Sequence, residues 1–353
     1  MSEEMAPPLP DPIGRHRLQL RGRRSLRPRA PINTRNPSIR TVATTLLDTN
    51  MLRWALANEL RHWTADQLNR VRRSGDLDTI LAATHPGQAR LGGVDGVRGT
   101  RTAGSTEVLA ASLHPPQDVA NVVERLERMA LSGVSPIPLD SPDYPRRLWG
   151  IPNPPLVLYV VGTTFDFWRC LAVSGTRTPS QWGVRTAERL GRRLAERGWV
   201  VTSGLARGID THAHLGALAA PDGRTVAVSA FPLDQISPSA NVGLAARIAT
   251  RGALVSEHSI NRGIAKVEFL RRNRIISGLS FAQFIVETSG AGGTRQQAET
   301  ALEQGRPLFI LKPPVSERRS RAGFDALVER GAKPCVSVEA ALDAAAAAWS
   351  AHA

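Results

Sequence analysis

Lysine and cysteine are nearly missing from this chain. Of its 353 residues only Lys266, Lys312 and Lys333 are lysines, so 42 of the 45 basic residues are arginines. GC-rich coding produces such a skew, which by itself proves no ligand. Cys170 and Cys335 are the only cysteines, which excludes a disulfide framework and offers no cysteine set for a structural metal. Cys170, followed by Leu171 and Ala172, reads as a buried inert thiol. No apolar run approaches the roughly 18 residues of a membrane span, so no membrane contact is expected. The N-terminus lacks the apolar core of a signal peptide, which makes the cytoplasm the expected compartment.

Positive charge is what the chain has in excess. The formal net charge is +14, and either a polyanionic partner or a basic proteome bias accounts for it. Its distribution says more. Residues 1–40 carry nine arginines against Glu3, Glu4 and Asp11, with many prolines and no apolar periodicity. Such a segment cannot bury enough surface to offset its ordering entropy, and it is expected to be a disordered basic arm. The arm either adds nonspecific phosphate contacts or is a solubilising tail or start-site artefact. Residues 41–135 read as a small helical subdomain, with Leu46, Leu47, Met51, Leu52 and Leu56 on one helical face and Thr64 as a cap. Within it 91–107 is a glycine-rich loop and 115–131 another helix.

From Pro136 strands and helices alternate, which implies a Rossmann-like, doubly wound, mostly parallel α/β sheet over 136–335, followed by a C-terminal helix in 336–353. Strands are expected near 156–160, 170–174, 199–202, 225–229, 253–256, 281–287 and 307–311. Ligands of such sheets bind outside the carboxyl ends of the strands. Three glycine turns fall there. Gly175, Thr176, Arg177 and Ser180 lie between a strand and a helix. Ser203, Gly204, Arg207 and Gly208 repeat the pattern one strand later, and Ser289, Gly290, Gly293 and Thr294 open a third helix. Backbone amides at helix starts, joined by guanidinium groups, hold phosphates well. The competing reading makes some of these arginines internal partners of Asp210, Glu257 and Glu287. For Arg274, in the segment Arg272-Asn273-Arg274, bracing the Ser256-Glu257 turn and contacting phosphate are equally open.

These motifs resemble the DprA/Smf family of DNA-processing proteins. Gly175-Thr176-Arg177 with Ser180 is similar to the family's Gly-Ser-Arg-x-x-Ser turn. Ser203-Gly204-Leu205-Ala206-Arg207-Gly208-Ile209-Asp210 with Ala213-His214 is similar to its second signature. Tyr144-Pro145, 155–159, Asn241 with Leu244, Ser256-Glu257, 272–280 and Ser289-Gly290 with Thr294 follow in the family's order. Pro232-Leu233-Asp234-Gln235-Ile236-Ser237-Pro238, Phe269-Leu270 and Gly323-Phe324-Asp325 depart from it. The resemblance implies a protein that binds and protects single-stranded DNA, helps load the RecA recombinase in transformation or recombination, dimerises, and needs no cofactor. A winged-helix module that many members carry at the C-terminus is expected to be missing.

No catalytic constellation accompanies the turns. His212 and His214, two apart on a helix, point to different faces and cannot share a metal, so structural roles are favoured. Glu257 has no nucleophile or second positioned carboxylate beside it. A phosphoribohydrolase of similar fold would place a glutamate where Gln297 stands, and Gln297 cannot ionise. A nucleotide-sensing module with the same pocket is the third class considered.

Overall fold

The computed structural model describes Trp54, Ala55, Asn58 and residues 116–163, 167–260 and 267–352. The expected basic arm, the expected loop over 91–107 and nearly all of the expected helices in 41–90 lie outside the described residues. Trp54 and Ala55 are helical and buried in the main core.

Helix α1 (Pro116–Leu131) precedes a nine-stranded sheet. Its elements run β1 (Ser135–Pro138), α2 (Arg146–Trp149), β2 (Val157–Gly162), β3 (Cys170–Ser174), α3 (Gln181–Glu196), β4 (Val200–Ser203), α4 (Ile209–Ala219) and β5 (Thr225–Val228). They continue as α5 (Val242–Arg251), β6 (Ala253–Ser256), α6 (Glu268–Leu279), β7 (Gln283–Ile285), α7 (Gly292–Glu303), β8 (Leu308–Leu311), α8 (Arg318–Val328), β9 (Lys333–Cys335) and α9 (Val338–Ser350). The strand order is β1-β2-β6-β5-β4-β3-β7-β8-β9. The pairs from β6 through β9 are parallel. No helix of the described residues is long and apolar enough to cross a membrane.

Helices cover both faces, as a parallel sheet requires. Leu190 and Leu194 of α3, Ile209 and Ala213 of α4 and Leu342 of α9 pack on one side. Leu148 of α2, Ile248 of α5 and Ile275 and Leu279 of α6 share a cluster with β2, β5 and β6 on the other. From β3 the chain winds outward through β4, β5 and β6, then returns to β7 beside β3 and winds the opposite way. The carboxyl ends of β3 and β7 therefore flank the reversal crevice at which open α/β sheets bind ligands.

One strand departs from the parallel expectation. β2 runs antiparallel to both neighbours, β1 and β6. Its apolar run specifies burial and leaves direction open. The seven residues 163–169 lead from it to β3, four positions away in the sheet. The edge strands β1 and β9 carry Pro136, Pro138 and Pro334, which cannot donate to a further strand and so protect the sheet's ends.

The crossing of α3 over α4 depends on two glycines. A Cβ on Gly191 would lie 2.3 Å from the Ala213 carbonyl oxygen, and one on Gly216 2.1 Å from that of Glu188. Gly216→Ala is expected to destabilise the fold by about 1–3 kcal/mol, seen as a thermal midpoint lowered by several degrees. Gly243→Ala, on an exposed helix turn with open space around it, is expected to hold or raise the midpoint, because alanine is favoured there by up to about 1 kcal/mol.

Candidate nucleic-acid interface

The loop after β3 enters α3 through Ser180, whose Oγ accepts the Gly183 amide at 3.1 Å. An anion already sits at this helix start, and it belongs to the protein. Glu287, two residues beyond β7, is buried, and its carboxylate accepts the Ser180 amide and the Ser180 hydroxyl, each at 3.0 Å. The hydroxyl of Ser320 on α8 donates to the same carboxylate at 2.8 Å. Two glycines make room for this arrangement: a Cβ on Gly183 would lie 1.8 Å from Glu287 Oε2, and one on Gly175 2.8 Å from the Glu287 carbonyl oxygen.

The loop after β4 is tied down on every side. The Asp210 carboxylate accepts the amides of Gly204 and Ala206 at 3.1 and 3.3 Å. Asn241 Nδ2 donates to the Leu205 carbonyl at 2.8 Å, and the Thr211 hydroxyl to that of Ala206 at 2.7 Å. These bonds hold Leu205 at φ 58 with its side chain buried, a conformation that a bulky residue keeps only under strong constraint. Beneath the loop the Arg272 guanidinium donates to the carbonyls of Gly204 and Val228. Burial pulls its pKa down to about 10, opposed by Asp210 and reinforced by Arg177. Burial also raises the Asp210 carboxyl, opposed by Arg272.

The two loops interlock. Gly208, at φ +78, presses on the first loop so closely that a Cβ would lie 2.4 Å from the Thr176 carbonyl oxygen and 2.7 Å from the Arg177 carbonyl carbon. The Ile209 amide donates to Thr176 at 3.1 Å. Arg177 and Arg207 thus stand exposed on adjoining loops, with no carboxylate paired to either among the described residues. The Arg177 guanidinium lies 5.4 Å from the centre of the Phe269 ring, which packs edge-on against Phe231. The third loop rises from Thr288 and enters α7 at Gly292 and Gly293, both exposed with open space around them. No side chain caps this helix start.

The residues singled out in the sequence therefore divide. Arg177, Arg207, Ser289 and Gly293 are exposed, and Gly175, Thr176, Ser180, Gly208, Gly290 and Thr294 are partly covered. Ser203, Gly204, Arg272 and Asn273 are buried under the loops. Arg274 braces the Glu257 turn, with its Nη1 3.0 Å and Nη2 2.5 Å from the two carboxylate oxygens, and it also donates to the Asn153 carbonyl. Sequence reasoning missed Glu287 as the occupant of the α3 start, Asp210 as the loop's anchor, and Ser320. A carboxylate directly after the apolar run 281–286 was the available signal for Glu287.

His212 meets Glu188 at 2.8 Å, while His214 is buried with Nδ1 2.6 Å from Thr225 Oγ1. The Thr225 hydroxyl already donates to Val201, so His214 Nδ1 carries the proton and donates. Gln297 is buried and donates to the Asn273 carbonyl and to Gln283 Oε1, a packing role. Among the described residues Glu257, His258 and Glu268 bring possible metal-ligand atoms within 4.8 Å of one another. Two of the three are engaged by arginines, Glu257 by Arg274 and Glu268 by Arg271.

Fold and loops together define a Rossmann-like α/β protein whose candidate site lies along the carboxyl edge of the sheet. Residues 135–346 match the family described as DNA recombination-mediator protein A, and the chain belongs to this family, DprA/Smf. The DNA processing protein DprA of Bacillus subtilis is 36% identical over 209 residues, 59% of this chain and 70% of that protein. Protein Smf of Escherichia coli is 40% identical over 198 residues, 56% of this chain and 52% of its own. The matched region also spans half of the Smf protein of Synechocystis. Among solved structures, DprA from Streptococcus pneumoniae superposes with a TM-score of 0.64 at 26% identity, covering 83% of this chain and 95% of that one. DprA from Helicobacter pylori, described for its single-stranded DNA binding mode, gives 0.54 at 28% identity, covering 60% and 94%. The Bacillus subtilis and Streptococcus pneumoniae relatives are named as DNA processing proteins.

Burial drives the His214 imidazole down to about 3, with Arg272 adding to the shift. A folded-state pKa below the unfolded value of about 6.5 means the unfolded chain takes up the proton first. The stability supplied by neutral His214 is therefore complete above about pH 6.5 and is lost as pH falls towards 3, at up to about 1.4 kcal/mol per unit. Imidazole proton resonances should show His214 still neutral at pH 5. A His214 resonance that moves with a midpoint near 6.5 would contradict the buried, Thr225-bonded geometry.

Proposed function

We propose that this chain binds single-stranded DNA along the carboxyl edge of its sheet, with Arg177 and Arg207 contacting successive phosphates. The observation that carries this reading is their exposure, without carboxylate partners, on two interlocked loops whose inner amides the chain's own carboxylates already satisfy. The open α7 start at Gly292 and Gly293 adds a third anion contact through Gly290, Gly293 and Thr294. Phe269, already under Arg177, offers a ring face at the same edge, and aromatic stacking suits unpaired bases. Ser203, Gly204, Arg272 and Asn273 act in this reading as positioning residues below the contact surface. The single-stranded DNA binding of the Helicobacter pylori relative supports the choice of ligand. On the family resemblance alone, the same reading extends to protection of incoming strands in the cytoplasm, loading of RecA and a homodimer that continues the basic edge across two subunits.

Arg177→Glu and Arg207→Glu each replace a charge-assisted contact of about 1.5–3 kcal/mol by repulsion. Each is expected to lower affinity for a single-stranded oligonucleotide at least tenfold, with the thermal midpoint little changed, because an exposed arginine leaves no buried partner behind. Duplex of the same length should bind more weakly than the single strand at 0.15 M salt. A collapsed midpoint with unchanged affinity of the folded fraction would make these arginines structural braces.

A further inference from the structure

Arg318, Arg319 and Arg321 occupy the first turn of α8, directly after its N-cap Glu317, whose side chain makes no capping hydrogen bond. The partial positive charge of a helix start disfavours cations there, so the sequence places three guanidinium groups against a local electrostatic cost. Arg318 and Arg319 are exposed and Arg321 is half-buried. None of the three side chains is paired with a carboxylate among the described residues. This cluster is not a loose surface feature. Ser320, between them, donates to the Glu287 carboxylate that also holds the Ser180 loop. Three residues later Gly323 lies against the third loop so tightly that a Cβ would sit 2.2 Å from the Thr288 carbonyl oxygen and 2.5 Å from the Gly290 amide nitrogen. Through these contacts α8 is fixed to both the first and the third anion loops, and its arginines stand at the same edge of the sheet as Arg177.

We infer that Arg318, Arg319 and Arg321 form a second phosphate-contacting segment that continues the single-strand path past the β3–β7 crevice. The inference rests on the single-stranded DNA reading above. The physical logic is electrostatic relief: a polyanion laid over the α8 start pairs with three cations at once and removes their unfavourable interaction with the helix dipole. Glu287 does not provide that relief, because its oxygens already accept Ser180 and Ser320, and the N-cap Glu317 is one carboxylate beside three cations and forms no ion pair with them among the described residues. A strand too short to cover the Arg177 and Arg207 loops and the α8 start together gains nothing from the cluster, whereas a longer one does. The cluster therefore acts as a length-dependent extension of the site.

The test compares a triple Ala variant (Arg318→Ala, Arg319→Ala, Arg321→Ala), a triple Lys variant at the same positions, and the double variant Arg177→Glu, Arg207→Glu. Fluorescent oligothymidylates of about 6 and about 20 nucleotides are titrated across a salt series, lengths that bracket common single-strand site sizes. The triple Ala variant is expected to lose at least tenfold in affinity for the longer strand at 0.15 M salt. Its log–log salt slope should fall by about 2, since each lost single-strand contact removes about 0.7. Binding of the short strand should be unchanged, the Lys variant should recover most of the slope, and the thermal midpoint should not fall. Unchanged long-strand affinity and slope in the triple Ala variant, while the Arg177/Arg207 variant loses binding, overturns the extension and leaves the groove reading standing. Normal binding of both lengths by the Arg177/Arg207 variant overturns the groove reading itself, and with it the continuation. Equal loss for both lengths in the triple Ala variant overturns the extension by making α8 part of the primary contact.

Discussion

A single buried carboxylate organises the sheet edge that carries the candidate site. Glu287 brings a negative charge into the crevice where the strand order reverses, and burial of that charge is tolerable only with hydrogen-bond donors around it. They come from two distant segments, the amide and hydroxyl of Ser180 and the hydroxyl of Ser320. Bonds to a charged group contribute about 1.5–3 kcal/mol each. Glu287 thereby sets where α3 begins, fixes the first loop against β7 and docks α8. The requirement for glycine at 183 and 175 is a consequence of the same carboxylate and its backbone.

Asp210 performs a parallel task one strand away, with a different counterpart. Its carboxylate holds the Gly204 and Ala206 amides, while Arg272 holds the Gly204 carbonyl from below. A Cβ on Gly204 would lie 2.4 Å from Arg272 Nη1, so a larger residue there would push the guanidinium off the Gly204 and Val228 carbonyls. With donors and acceptors of the loop satisfied inward, residue 207 can only project outward. The left-handed Leu205 is the strained element in this design, and Asn241 and Thr211 on separate elements share the work of holding it. A rigid loop presents its arginine with little ordering left to do on binding.

Much of this frame was legible in the sequence, because apolar strand runs and amphipathic helices alternate from β3 onward. The strands expected at 170–174 and 253–256 are β3 and β6 with the same bounds. The two edge strands were not legible: Pro136, Pro138 and Pro334 read as breakers, and only a position at a sheet edge makes them compatible with a strand. The start of α8 was hidden likewise, because a run of arginines carries no helix-start signal. The division of roles within Arg272-Asn273-Arg274 was also out of reach. Two residues apart on α6, Arg272 turns under the second loop and Arg274 turns to Glu257, and the choice depends on partners 68 and 17 residues away. Glu287 pairs across 107 and 33 residues, distances at which no local pattern announces a contact.

The occupied helix starts bear on what kind of ligand this edge takes. A Rossmann protein that binds a free nucleotide leaves the amides at its first helix open and buries a pyrophosphate on them. Here a carboxylate of the protein fills that position at α3, and another fills the loop before α4. A mononucleotide would have to displace a buried charge that accepts three donors, with no better bonds to offer in return. The cations left to an incoming anion lie outside this layer, spread over Arg177, Arg207 and the α8 cluster rather than gathered in one pocket. A dispersed row of guanidinium groups gains little from one phosphate and much from several joined in a chain, because later contacts along a tethered polymer form at high effective concentration. In the proposed single-strand reading, the same internal carboxylates that stabilise the loops disfavour small nucleotides relative to a polyanionic strand.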